Sequence, residues 1–111
     1  MNNRDTQVPA TDEAGIEKQI QELGLTAPRI TPADIDAQIV AEAYYVFPGT
    51  TFTVCLLTLK NGFQVDGASA CASPANFNLA VGQQIAKRNA RDKIWALEGY
   101  QLRTKLAAEG A

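Results

Sequence analysis

The sequence predicts an α+β fold: N-terminal helices, an antiparallel β-hairpin, then a long C-terminal helix. Three observations carry this. A strand-forming run, Thr51 to Lys60, meets Asn61-Gly62, the strongest short hairpin signal, and the chain returns through Phe63 to Ala72. From Asn78 onward, apolar residues recur at helical spacing as far as Leu97. Ahead of the hairpin, Thr31-Pro32-Ala33-Asp34 spells a helix start.

The chain has 111 residues, enough for one domain. Residues 1–11 are polar and aperiodic and read as a disordered tail, 12–106 as the α+β domain, and 107–111 as a frayed end. Its opening residues, Met1 to Gln7, lack the apolar stretch of a signal peptide, and no apolar run spans a bilayer. The expected setting is a cytoplasm, with Cys55 and Cys71 reduced and buried.

From Asp12, Ile16, Ile20 and Leu23 form a narrow stripe that ends at Gly24, a C-cap residue. Such a short helix must dock on something to persist. The next helix has Thr31 as N-cap, Pro32 at N1, Asp34 in a capping box, and Ile30 with Ile35 as a hydrophobic staple. Ile35, Ile39, Val40 and Ala43 form its apolar face. The run Tyr44 to Phe47 leaves the helix, and Pro48-Gly49 ends it.

If Asn61-Gly62 is a two-residue turn, paired residue numbers in the hairpin sum to 123. Phe52, Val54, Leu56, Phe63, Val65 and Cys71 then share one face, and Cys55, Leu57, Leu59, Ala68 and Ala70 the other. Both faces are apolar, so both should be covered, by the N-terminal helices or by a second subunit. That, with the narrow stripe of the first helix, predicts a homodimer or higher oligomer. The register also places Cys55 and Cys71 on opposite faces, which excludes a disulfide between them. Gly67-Ala68-Ser69-Ala70 permits close approach by a helix, a ligand or another backbone.

Ser73-Pro74-Ala75-Asn76 repeats the earlier start signal, so the long helix begins there or at Asn78. Leu79, Ala86, Ala90 and Leu97 form its core face, flanked by Gly82 and Ile94, and Gly99 stands where a C′ residue belongs.

Net charge is −2, but residues 1–48 hold eight acidic and three basic side chains, while residues 79–111 hold six basic and three acidic. Either the basic end binds an anion, or the two ends pack together. There is no histidine. That removes Ser-His-Asp and Cys-His catalysis and the usual zinc sites, and no metal or cofactor site is expected. Asp66 and Gln64 have no acid–base partner in sight, so the chain is not expected to be an enzyme.

Two clusters are candidate ligand sites. Lys87, Arg88, Arg91 and Trp95 share one helix arc, where a guanidinium beside an indole holds phosphate and stacks on a ring. The plainer alternative is a solvated face with Arg91 packed on Trp95. At the start of that helix, Asn76, Phe77 and Asn78 offer amides and an aromatic ring to an anion, or are simply a cap and a core residue. Asn89 adjoins the apolar strip and is a structural hydrogen-bonder, a dimer-axis residue or a ligand contact.

The ordered set Thr53-Val54-Cys55, Leu59-Lys60-Asn61-Gly62-Phe63, Gly67-Ala68-Ser69-Ala70-Cys71, Pro74-Ala75-Asn76-Phe77-Asn78, Gly82, Ile85-Ala86, Asn89-Ala90, Ile94-Trp95 and Leu97-Glu98-Gly99-Tyr100 resembles a small tailed-phage family. The family is named after gene product 49 of one podovirus and gene 66 of another, and the resemblance runs from about Thr31 to Leu106. It implies phage or prophage origin and a host-cytoplasm setting. The family is one of unknown function and supplies no catalytic residues.

The first functional expectation is therefore a non-enzymatic accessory protein that binds a host protein, in counter-defence or host takeover. The second is a protein that sequesters a small anionic ligand such as a signalling nucleotide. The third is a nucleic-acid-binding accessory protein, disfavoured by the acidic remainder of the chain. An exposed apolar patch would favour the first. A pocket gathering Arg88, Arg91 and Asn76 would favour the second, and a continuous basic surface the third.

Overall fold

The computed structural model describes residues 12–110. The order is α1 (Glu13–Glu22), α2 (Pro32–Gln38), β1 (Ile39–Val46), β2 (Thr53–Leu59), β3 (Gln64–Ser69), a 3₁₀ turn (Pro74–Asn76) and α3 (Leu79–Ala108). The three strands form one antiparallel sheet in the order β1-β2-β3. The architecture is α+β, with a long last helix, as the sequence predicts. The tail predicted for residues 1–11 lies outside the described residues.

Helix starts follow the sequence closely. Asp12 caps α1 by accepting the Gly15 N–H at 2.7 Å. Thr31 Oγ1 accepts the Asp34 N–H while Asp34 accepts the Thr31 N–H, the full capping box. Asn78 Oδ1 accepts the Val81 N–H at 3.0 Å and starts α3, with the Ser73 segment reduced to the 3₁₀ turn.

Four expectations are corrected. First, the second helix stops at Gln38 instead of running to Ala43, and Ile39–Val46 is a strand. β-Branched and aromatic side chains fit the pleat better than a helix, and β2 gains a full ladder on that side.

Second, the hairpin register differs by one. Leu57 pairs with Val65 and Cys55 with Gly67, so paired numbers sum to 122. Leu59 N–H donates to Phe63 O, Gly62 N–H donates to Leu59 O, and Gly62 sits at φ +89°, which makes Lys60-Asn61-Gly62 a three-residue loop. A one-residue slip exchanges the faces of β3. Val65 and Gly67 thus join Cys55, Leu57 and Leu59 on the buried side. The opposite-face argument for the cysteines fails with it. Both are nevertheless free thiols, Cys55 buried and Cys71 only half-buried.

Third, one face of the sheet is open among the described residues. The core comprises Ile35, Cys55, Leu57, Leu59, Val65, Ala86, Ala90 and Ile94. Ile35 of α2 is therefore in the same layer as α3, and the N-terminal helices stand beside α3 rather than across the sheet from it.

Fourth, α3 passes straight through Gly99 to Ala108. Of its expected core face, Ala86, Ala90 and Ile94 are buried, but Leu79 and Leu97 are exposed.

The tightest packing is where α3 crosses β3. A Cβ on Gly67 would lie 2.2 Å from Ala90 N and 2.5 Å from Ala86 O. Helix and strand backbones touch there, which is the close approach the small-residue run allows.

Candidate functional site

The basic arc of α3 is largely spent on the acidic N-terminal part. Arg91 uses all three guanidinium nitrogens within the chain: Nη1 donates to Glu13, Nε to Asp36 at 2.8 Å, and Nη2 to Pro32 O at 3.2 Å. Trp95 Nε1 donates to the same Glu13 carboxylate at 3.1 Å. Lys87 pairs with Glu42 of β1 at 2.9 Å. Lys87 holds the Glu42 carboxyl below its ordinary range, with the Tyr44 hydroxyl adding to this. Arg88 is exposed and has no hydrogen-bond partner among the described residues. The charge asymmetry in the sequence is thus an internal contact, and Arg91 with Trp95 is the anchor for α1. That helix buries none of its own residues, and Arg29 holds its other side through a fork on Glu17 at 2.6 and 2.7 Å.

Asn89 is a hydrogen-bonder: its Nδ2 donates to Ala68 O of β3 at 2.8 Å. Asn76, Phe77 and Asn78 do come together. With Ser69, Gly82 and Ile85 they line a cavity of about 190 Å³ at the N-terminus of α3. Neither Arg88 nor Arg91 lines it. The predicted site residues therefore separate into two places, an apolar cavity without a cation and an ion-pair cluster already filled.

Cys55 has the chemistry of a core residue. Burial pushes its thiol up and keeps it protonated. Burial also raises the Tyr44 hydroxyl, which donates to Glu42 at 2.7 Å. Among the described residues no group of three or more Cys, Asp or Glu is placed to hold a metal ion. No helix there is long and apolar enough to cross a membrane.

The feature that sequence reasoning missed is the open face of the sheet. Tyr45, Phe47, Phe52 and Leu56 are 53%, 44%, 41% and 37% exposed, on the side away from α3. Tyr45 and Phe47 meet edge to face at 4.9 Å, and Phe47 and Phe52 lie 5.7 Å apart. Tyr45, Phe47 and Leu56, with Ala43, Tyr44 and Val54, border a shallow apolar depression. Asp66 stands directly beside Leu56 across the β2–β3 ladder, and Gln64 stands beside Thr58 nearer the hairpin loop. The signal was present as Tyr45 and Phe47 at a spacing of two, in register with Phe52 and Val54. It is legible only once Ile39–Val46 is known to be a strand.

The model of a family described as "Phage protein (N4 Gp49/phage Sf6 gene 66) family" matches residues 30–106. The match includes α2, the whole sheet and most of α3, and leaves α1 outside. No curated protein and no solved structure matches the chain.

Proposed function

The chain belongs to this phage protein family, and we propose that it is a non-enzymatic accessory protein that binds a host protein through the open face of its sheet. The observation that carries the reading is the contiguous apolar face of Tyr45, Phe47, Phe52, Val54 and Leu56. Exposed apolar patches of this kind, rimmed by polar residues, mark protein-binding surfaces. Aromatic side chains supply much of the binding energy at such surfaces. The partner surface it fits is apolar opposite the aromatic cluster, with Asp66 and its partner Lys93 on the rim beside Leu56. Counter-defence or host takeover in the host cytoplasm is the theme that phage membership supports.

The ligand-sequestering and nucleic-acid readings need free cations. Lys87 and Arg91 are neutralised within the chain, which lends those readings less support.

Site-specific photo-crosslinking tests the proposal. A photo-reactive residue at Phe52 should give a covalent adduct with one host protein, and the same residue at Gln19 of α1 should not. The purified host protein should bind the wild-type chain and lose that binding with Leu56→Glu. No adduct at Phe52, or adducts only with a second copy of the chain, would overturn the reading.

A further inference from the structure

The two edges of the sheet are treated differently. On β3, Ala68 O points outward and is taken by Asn89 of α3, and Lys93 lies over the same edge through its pair with Asp66 at 3.1 Å. On β1, Lys87 of α3 pairs with Glu42 at 2.9 Å, but among the described residues no side chain takes an outward backbone group. Phe47 N–H donates to Phe52 O, so the odd-numbered residues of this stretch turn their backbone groups toward β2. Glu42, Tyr44 and Val46 therefore present N–H and C=O groups to the outside. Among the described residues no hydrogen bond engages them.

Natural edge strands are blunted by lysine, proline, bulges or covering elements. β1 has one such device, a bulge between Ile39 and Ala41, at its first end only. From Ala41 to Val46 it contains neither proline nor glycine. Its one charge, Glu42, is neutralised by Lys87.

We propose that β1 pairs antiparallel with β1 of a second copy of this chain, about a twofold axis at Ala43, giving one continuous six-stranded sheet. The register follows from symmetry. A twofold axis perpendicular to the sheet keeps the buried face with the buried face only if paired numbers have an even sum, so the axis passes through a residue. At Glu42 it would set two carboxylates opposite each other, which is unfavourable. At Tyr44 it would oppose two phenol rings already packed against their own cores. At Ala43 it sets Ala41 opposite Tyr45 on the open face, a small residue beside a large one, twice over. On the other face it sets Glu42 opposite Tyr44, the pair that already hydrogen-bonds within one chain. The strand thus supplies its own complement, uncharged on the outer face and satisfied on the inner one. The helices of both copies stay on one side. The open apolar faces merge into one broad surface on the other, so this proposal does not depend on what occupies that surface.

Disulfide trapping and mass measurement test it on the full-length chain. Ala43→Cys is made in a Cys71→Ser background, with Cys55 left in the core. The axis pair is a non-hydrogen-bonded one, with Cα atoms about 4.5 Å apart, within disulfide reach. Mild oxidation should convert it to a covalent dimer, while Leu56→Cys in the same background should form no covalent dimer. Light scattering of the wild type at micromolar concentration should give about twice the chain mass. Glu42→Pro removes one outward N–H, a position where an edge strand tolerates proline. It should keep a cooperative melt and halve the mass. A monomeric wild type, a trapped dimer at Leu56 but not Ala43, or a Glu42→Pro chain that folds and remains dimeric would each overturn the proposal.

Discussion

Gly67 lies directly beneath Ala90, so close that a methyl group on the strand residue would stand 2.2 Å from the helix residue's backbone nitrogen. The neighbours are backbone atoms, which cannot swing aside as a side chain would. This contact sets the height of α3 above the sheet.

Gly67→Ala is expected to lower stability by about 3 kcal/mol or more, at the upper end of the range for overpacked cores. Gly99→Ala is the control. Nothing lies within 4 Å of that position and it is inside α3. Alanine there should add up to about 1 kcal/mol through helix propensity. Denaturant midpoints of the two variants should move in opposite directions.

Thr53 is fully buried, and its hydroxyl has no hydrogen-bond partner. Thr53→Val keeps the branched shape and removes the unmet polar group. A gain of about 1 kcal/mol is expected. A loss of that size in urea unfolding would mean the hydroxyl is satisfied in solution.

Arg91→Ala should cost more than the few tenths of a kcal/mol typical of a helix-surface pair. It removes contacts to Glu13, Asp36 and Pro32 O together. Allowing for partial solvent screening, about 1–2 kcal/mol is expected. Trp95, the one tryptophan of the chain, reports the same event. Its emission should shift to the red as α1 detaches, and unchanged emission with unchanged stability would contradict the anchoring role.

Acid should loosen α1 from its other side. The Arg29 guanidinium, and then Gln21, hold the Glu17 carboxyl down from 4.5 to about 2. A depressed carboxylate stabilises the folded state above its unfolded pKa and loses that contribution as pH falls through the folded value. The Tm difference between wild type and Arg29→Ala should therefore be level above about pH 5 and shrink toward zero near pH 2. A difference that grows as pH falls would exclude the Arg29–Glu17 fork.

Among the predicted site residues, Asn78 and Asn89 have hydrogen-bonding roles and Arg91 with Trp95 anchors a helix, so their importance was legible but not their use. The convergence of Asn76, Phe77 and Asn78 was legible too, because residues close in sequence at a helix start converge whatever the rest of the chain does. The open aromatic face was not, because it depends on the strand assignment of Ile39–Val46 and on the register of β3.

By itself the sequence determined the helix starts at Asp12 and Thr31, the hairpin at Asn61-Gly62, and the long last helix with its start narrowed to Ser73 or Asn78. Each depends on residues within about four positions of one another, where a side chain and the backbone group it satisfies are fixed by local geometry. Only the tertiary structure decided that Ile39–Val46 is a strand, that Val65 rather than Gln64 faces the core, and that Arg91 belongs to Glu13, 78 residues away. Those choices compare whole pairings between distant segments. The β2 ladder, the fit of Gly67 under Ala90 and the charge balance of the two ends are satisfied together in one arrangement, and no local window of the chain contains that comparison.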